Sequence, residues 1–74
     1  MKLSQAIGIT IRQLRTEQNK TMRQMSPYIS QAHLSDVERG AKEMSQELLE
    51  EVSQGLNLTT ADFLMEVAKV LKGN

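Results

Sequence analysis

Cysteine is absent from this 74-residue chain, and histidine, proline, tyrosine and phenylalanine each occur once. Without cysteine, neither a disulfide nor a cysteine zinc site can stabilise so small a fold, so helix packing or self-association must do so. No apolar run approaches the roughly 18 residues of a membrane span, and the N-terminus lacks the layout of a secretory signal. We therefore expect one soluble, cytoplasmic domain without a membrane partner, too small for a multi-layer enzyme.

Residues that carry catalytic chemistry are equally scarce. Ser30, His33 and Asp36 follow an i, i+3, i+6 spacing that superficially resembles a nucleophile, a base and an orienting acid. On one helix such groups point roughly parallel, whereas the base must bridge the other two within about 3 Å. One histidine, no calcium-binding loop and no phosphate-binding glycine pattern give no support for a metal, a cofactor or a small-molecule ligand. The sequence predicts a protein that is not an enzyme.

The net charge of zero conceals two halves of opposite sign. Up to Lys42 there are seven basic and three acidic side chains, and from Glu43 onward there are two basic and six acidic ones. Such a chain would present its first half to a polyanion and its second half to water or to a protein partner. For the acidic half, an ordinary solvated helix surface is the alternative.

The apolar spacing predicts an all-α bundle of five helices, because strand-like alternation is missing. Gly40 and Gly55 fall at the expected ends of predicted helices 3 and 4. Leu3, Ile7, Ile11 and Leu14 form the buried stripe of predicted helix 1. The five predicted helices span residues 4–18, 22–26, 31–39, 46–55 and 60–72. Together they make one domain over residues 1–74.

Polar residues near the helix ends refine these boundaries. Asn19 suits the left-handed position that ends predicted helix 1. Small polar residues suit the N-caps of the following four helices, because their side chains accept backbone N–H groups. These caps are Thr21, Ser30, Ser45 and Thr59.

Pro27 determines the length of predicted helix 2. Proline disfavours helical geometry at the preceding Ser26 and has no N–H to donate within a longer helix. Predicted helix 2 must therefore be short, and predicted helix 3 begins after Ser30. In the alternative, Ser26 is the cap and Pro27 takes the first position of predicted helix 3, which then starts one turn earlier.

Predicted helix 5 is apolar on two sides. One seam consists of Leu64, Ala68 and Leu71, and the other, about 100° around the helix, consists of Phe63, Val67 and Val70. A helix that is apolar on two sides must cover both, so we expect a homodimer through this helix. The expected interface residues are Phe63, Val67, Val70 and Leu71. In the alternative, both seams close over one small core.

The stretch TMRQMSPYISQAHLSDVERG holds two short predicted helices joined by a tight turn, and a helix so presented fits a major groove about 12 Å wide. With the flanking IRQLRTEQNK and KEMSQELLEEVSQGLNLT, it resembles the helix-turn-helix of the Cro/CI-type, XRE-like transcription regulators of bacteria and phages. LSDVERG and predicted helix 4 are most similar to the actinobacterial regulators of Clp protease genes. The resemblance covers residues 7–62 and implies a λ-repressor-like DNA-binding domain.

Carried over position by position, the resemblance makes predicted helix 3 the recognition helix. The base contacts that it implies are Gln31, Ala32, His33 and Ser35. Gln31 can pair with N6 and N7 of adenine, Ala32 can touch a thymine methyl, and Ser35 can bond to several base edges. For His33, a solvent-facing side chain is the alternative to a base or phosphate contact.

The resemblance also implies contacts to the DNA backbone from Thr21, Arg23, Arg39 and Lys42. The first turn of predicted helix 2 would point N–H groups at a phosphate. The alternative for Thr21 is a purely capping role, and the alternative for Arg23 is a solvated charge.

Two further positions concern the orientation of the recognition helix. In many members of the family, an arginine late in helix 1 pairs with a glutamate late in helix 3, and these positions are Arg15 and Glu38 here.

The stretch MSPYIS departs from the family, since members usually have about two more residues between helix 2 and the recognition helix. Met22 also replaces a frequent glutamine, so a phosphate contact is missing and affinity should depend more on a dimer or on accessory partners.

The sequence thus predicts a sequence-specific transcription regulator that binds double-stranded DNA. We expect a homodimer on a palindromic operator whose half-sites lie about one helical turn apart. The alternative is a protein-interaction module or an antitoxin that uses the same scaffold and predicted helix 5.

Overall fold

A computed structural model describes residues 1–73, which fold into four α-helices and one short 3₁₀ turn. The helices are α1 (Leu3–Glu17), α2 (Gln31–Glu38), α3 (Gln46–Gly55) and α4 (Thr60–Gly73), and the 3₁₀ turn covers Arg23–Met25. No strand occurs in this part of the chain, so the all-α prediction is confirmed. Across the same residues, no helix has the length and hydropathy needed to cross a membrane.

Predicted helix 2 is a 3₁₀ turn, so the described chain has four α-helices where five were expected. Pro27 has no N–H to donate to the preceding turn, which interrupts the series of helical hydrogen bonds. The remaining bonds of this turn close over three residues, as between Met25 N and Met22 O (3.1 Å). The predicted effect on Ser26 is wrong, because its φ of −59° and ψ of −28° are helical.

Three helices end in the same way, with a left-handed residue just beyond the last turn. Asn19 follows α1 with φ 54°, Gly40 follows α2 with φ 71°, and Asn57 follows α3 with φ 60°. After α2, for example, Gly40 N donates to Val37 O (2.9 Å) and Ala41 N to Asp36 O (2.9 Å), which satisfies two terminal carbonyls. Asn19 and Gly40 were predicted to end helices, whereas Asn57 was not.

The predicted N-caps of the last three helices are confirmed. Ser30 Oγ accepts from His33 N (3.2 Å), Ser45 Oγ from Leu48 N (3.1 Å) and Thr59 Oγ1 from Asp62 N (3.0 Å). The cap at Ser30 decides between the two predicted starts of the recognition helix. It begins at Gln31, and the earlier start at Pro27 is wrong.

The core lies where α1 packs against α2 and α4, and where α3 packs against α4. It is formed by Ala6, Ile7, Ile11, Met25, Ile29, Leu34, Val37, Val52, Leu56, Phe63 and Val67. Leu3 does not belong to the core, contrary to the predicted stripe. It is the first residue of α1, lies before the turn that packs on the core, and is exposed. The buried hydroxyl of Thr10 donates to Ala6 O (2.7 Å), and that of Ser53 donates to Leu49 O (2.8 Å). Neither hydroxyl therefore loses a hydrogen bond on burial.

Two glycines, one in α1 and one in α3, allow other parts of the chain to approach their helices closely. A Cβ at Gly8 would lie 2.8 Å from the carbonyl oxygen of Glu38, so α1 and the end of α2 touch backbone to backbone. A Cβ at Gly55 would lie 2.8 Å from Cδ2 of Tyr28 and 2.9 Å from Cε of Met25. Gly55 was predicted only as a helix end, whereas its neighbours show a packing role.

The predicted dimer interface on the last helix requires correction. Phe63 is 0% exposed and Val67 is 2% exposed, so both belong to the core and neither can contact a second subunit. Val70 is partly buried against the same core. The side of α4 that remains accessible carries Leu64, Met65 and Leu71, which are 46%, 61% and 38% exposed. Of the predicted interface residues, only Leu71 lies on that side.

Candidate nucleic-acid interface

The outer face of α2 carries the predicted base contacts. Gln31 and Ala32 occupy the first helical turn and are exposed, while His33 and Ser35 are half-buried. At about 100° per residue, Ala32, Ser35 and Arg39 point away from the core. Leu34 and Val37, which are fully buried, point towards it. Gln31 and Ala32 are thus available to a ligand, and Ser35 lies one turn further along the same face.

The orientation of α2 is set by an ion pair on its inner side. Arg15 of α1 donates to both carboxylate oxygens of Glu38, from Nε to Oε2 (2.8 Å) and from Nη2 to Oε1 (3.1 Å). Arg15 Nη1 also donates to the carbonyl of Lys20 (2.9 Å), in the loop after α1. The hydrogen bonds to Glu38 raise the pKa of Arg15. The predicted pairing of Arg15 with Glu38 is present, and it is bidentate and largely shielded from water.

Thr21 and Arg23 lie in the turn that precedes α2. Thr21 Oγ1 accepts from Gln24 N (3.2 Å), and Gln24 Oε1 accepts from Thr21 N (2.8 Å), so the two residues cap each other. The capping role of Thr21 is therefore present, and its hydroxyl proton can still be donated to a phosphate. Arg23 is exposed. Because the 3₁₀ turn has only three residues, it does not form the helix start that was expected to bind a phosphate.

Arg39 and Lys42 meet around one carboxylate. Arg39 Nη2 donates to Oδ1 of Asp36, and Lys42 Nζ lies 3.5 Å from Oδ2 of the same residue. The hydrogen bond from Arg39 lowers the pKa of Asp36 below its ordinary value. Two of the four predicted phosphate contacts are thus brought together, but each already has a negative partner.

Other cations of the positive half have structural roles or were not predicted as contacts. Lys20 Nζ donates to the carbonyl of Gly55, so it ties the loop after α1 to the end of α3. Lys2 lines the same surface groove as Lys42, next to the start of α1, and it was not among the predicted contacts. The surplus of positive charge before Glu43 was the only sequence signal for it, because Lys2 lies outside the helix-turn-helix stretch.

Ser30, His33 and Asp36, which have the sequence spacing that superficially resembles a triad, are not arranged as one. Ser30 Oγ accepts from the backbone of His33, and the carboxylate of Asp36 is bound to Arg39, so the three residues do not form a triad. No group of three or more histidine or acidic side chains could hold a metal ion in this part of the chain. The outer face of α2 can donate hydrogen bonds to a ligand and accept them from it, through side chains such as Gln31 and Ser35.

Comparison with known proteins places this geometry in context. A helix-turn-helix family model matches residues 11–64. Two crystal structures of the clp gene regulator ClgR from Corynebacterium glutamicum are 37% identical to the chain and cover 92% of it, with TM-scores of 0.84 and 0.83. The chain covers 74% and 91% of those two. The restriction-modification controller protein C.Esp1396I is 19% identical with a TM-score of 0.86, covering 96% of this chain and 94% of its own, which shows a shared fold. No curated protein sequence matches the chain.

Proposed function

The chain belongs to the helix-turn-helix family of DNA-binding transcription regulators, and we propose that it reads a specific operator by inserting α2 in the major groove as a homodimer. The predicted XRE-like resemblance and the likeness to Clp gene regulators are both confirmed by these matches. Insertion of α2, the base contacts, the dimer and a palindromic operator are the parts that we propose.

The outer start of α2 is the observation that carries this proposal. Gln31 and Ala32 are exposed. Ser30 caps the start of their helix, and the Arg15–Glu38 pair fixes its other end. A rigid helix with accessible, uncharged side chains at its start is suited to a groove, since base readout needs positioned groups. Gln31 would pair with N6 and N7 of adenine, and Ala32 would touch a thymine methyl.

Backbone contacts would orient the domain on the duplex. Arg23 and Thr21 lie in the turn before α2, and Arg39 and Lys42 lie at and beyond its end. Cations on both sides of a recognition helix hold it in register without reading sequence. His33 and Ser35 complete the proposed contact surface, as half-buried groups in the first two turns.

A homodimer is supported by the accessible side of α4. Leu64, Met65 and Leu71 lie on one stripe with Ala61 and Ala68, at helical spacings of three and four residues. An apolar stripe of this kind is normally covered by another protein surface. A second copy would bury it and would place two α2 helices on half-sites about one helical turn apart.

The dimer is tested by sedimentation of the double variant Leu64→Glu, Leu71→Glu. We expect the wild type to sediment as a dimer and the variant as a folded monomer. Leu3→Glu is the control, because it makes one of these Leu→Glu changes at an exposed leucine of α1. A wild type that remains monomeric at high concentration would contradict the proposed dimer.

DNA binding is tested by titrating a mixture of labelled duplexes at two salt concentrations. Each engaged cation contributes roughly 0.9 to the slope of log affinity against log salt. Arg23→Gln should therefore reduce the slope by about one unit. Lys72→Gln, which removes a positive charge from α4, should leave it unchanged. Absence of binding, or binding that does not depend on salt, would favour a protein-interaction module instead.

A further inference from the structure

Asp36 lies between two of the cations that are proposed to bind phosphate. Its carboxylate bonds to Arg39 through Oδ1 and lies 3.5 Å from Lys42 Nζ through Oδ2. Both cations are well exposed, whereas the Asp36 side chain is 27% exposed. The carboxylate is therefore accessible to water but occupied on both oxygens.

The position of Asp36 on α2 makes this cluster relevant to DNA. At about 100° per residue, Asp36 is turned away from the core, close to Ala32 and Arg39. The other acidic residue of α2, Glu38, is directed inward at Arg15. Asp36 thus contributes the one negative charge on the outer face of the helix.

We propose that Asp36 is a specificity-determining residue that acts as an internal counterion, holding Arg39 and Lys42 until a phosphate displaces it. The inference rests on the proposed DNA binding, which it deepens. Binding to arbitrary DNA is supplied almost entirely by cations that replace counterions on phosphates. A carboxylate that competes for two of those cations therefore weakens binding to arbitrary sequences. Base contacts from Gln31 and Ala32 offset that loss on the operator alone.

How strongly Asp36 competes with phosphate for Arg39 and Lys42 follows from the exposure of these two ion pairs. An ion pair between exposed side chains is typically worth at most about a fivefold change in an equilibrium. Phosphates can therefore displace Asp36, and the cluster adjusts the affinity without blocking it. The opposite role, in which Asp36 holds Arg39 in the pose that binds phosphate, predicts the opposite sign when the carboxylate is removed.

The test compares Asp36→Asn with Asp62→Asn, which makes the same change of charge on α4. Asp62 is exposed in the first turn of α4 and forms no ion pair within residues 1–73. One measurement is the salt concentration that elutes each protein from heparin, a polyanion without bases. The other is fluorescence anisotropy with a random-sequence duplex. Circular dichroism establishes that each variant is folded, and Asp36→Ala serves as a second variant.

Asp36→Asn should elute from heparin at higher salt and bind the random duplex about two- to fivefold more tightly than wild type. Its salt slope should steepen by about one unit. Asp62→Asn should differ little from wild type in both measurements. An Asp36→Asn variant that binds no more tightly than Asp62→Asn, or more weakly than wild type, would overturn the proposal.

Removing Arg39 in both backgrounds isolates the coupling. If Asp36 restrains Arg39, Arg39→Gln should lower polyanion affinity more in the Asp36→Asn protein than in the wild type. Equal losses in the two backgrounds would contradict the restraint. A protein that prefers no DNA sequence but shows the heparin shift would disprove the proposed operator recognition and leave the counterion role intact.

Discussion

Asp36 and Glu38 are two carboxylates two residues apart on α2, and they face opposite environments. Successive helical positions differ by about 100°, so the two side chains point some 200° apart. Glu38 is 4% exposed and receives two hydrogen bonds from Arg15, while Asp36 is 27% exposed and is held by cations that extend into water. The same chemical group therefore anchors the helix on its inner side and remains exchangeable on its outer side. Burial decides which role each carboxylate takes.

The largest expected effect comes from breaking the inner pair. Arg15→Ala leaves the buried Glu38 carboxylate without its partner and should lower the free energy of unfolding by about 3 kcal/mol. A domain of this size has only a few kcal/mol of stability, so urea denaturation should show a large loss of midpoint. Arg12→Ala, an exposed arginine on the same helix, is the control and should have little effect. Equal losses for the two variants would mean that the pair does not anchor α2.

The close approach of α1 to the end of α2 at Gly8 gives the second prediction. In an isolated helix, alanine is better than glycine by about 1 kcal/mol. At Gly8, however, a Cβ would press on the carbonyl oxygens of Val37 and Glu38, which are backbone atoms and cannot rotate away. Gly8→Ala should therefore destabilise the protein by about 1–3 kcal/mol in thermal or urea denaturation. A stabilised variant would show that α1 and α2 are not in close contact.

The outer face should respond in binding and not in stability. Gln31→Ala should cost about 1–3 kcal/mol on the preferred operator and reduce discrimination at one base pair, while the denaturation midpoint stays unchanged. Gln46→Ala is a closely matched control, because Gln46 also follows a serine cap and is exposed at the start of α3. Competition titrations with the operator and a single-base variant measure the difference. Equal effects of the two substitutions would remove α2 from the recognition surface.

The smallest effect concerns the titration of Asp36. Its bond to Arg39 lowers the pKa of the carboxyl, so the pair is fully formed at neutral pH and is lost as the pH falls through that lowered value. Arg39→Gln should raise the pKa of Asp36 towards its ordinary value, as followed by NMR of the carboxyl carbon. Binding to heparin should strengthen when Asp36 becomes protonated. A pKa that is the same with and without Arg39 would contradict the pairing.

The parts of the fold that depend on local chemistry were predictable from the sequence. Ser30, Ser45 and Thr59 act as caps because their side chains bond to groups within one turn. Asn19 and Gly40 end helices for a similarly local reason. The Arg15–Glu38 pair joins distant parts of the chain, and only the resemblance to a family indicated it.

The parts that depend on packing between helices were not predictable. Periodicity gave α4 two apolar seams, but it could not tell which of them faces the core, and the interface was assigned to the buried Phe63 and Val67. The pairing of Lys42 with Asp36 was missed, because Lys42 reaches back from beyond the helix end. The pair of Asp36 and Arg39 was also missed, although its i, i+3 spacing is local. The predicted base and phosphate contacts stay predictions, since they concern a bound duplex.

The outer face of α2 is tested most directly by selecting bound duplexes from a random DNA pool with the wild-type protein. We predict one enriched sequence with two-fold symmetry and half-sites about one helical turn apart. We also predict that selection with Gln31→Ala relaxes the preference at a single position in each half-site. A selected pool that is indistinguishable from the input, or an unchanged preference with Gln31→Ala, would contradict sequence recognition by the start of α2.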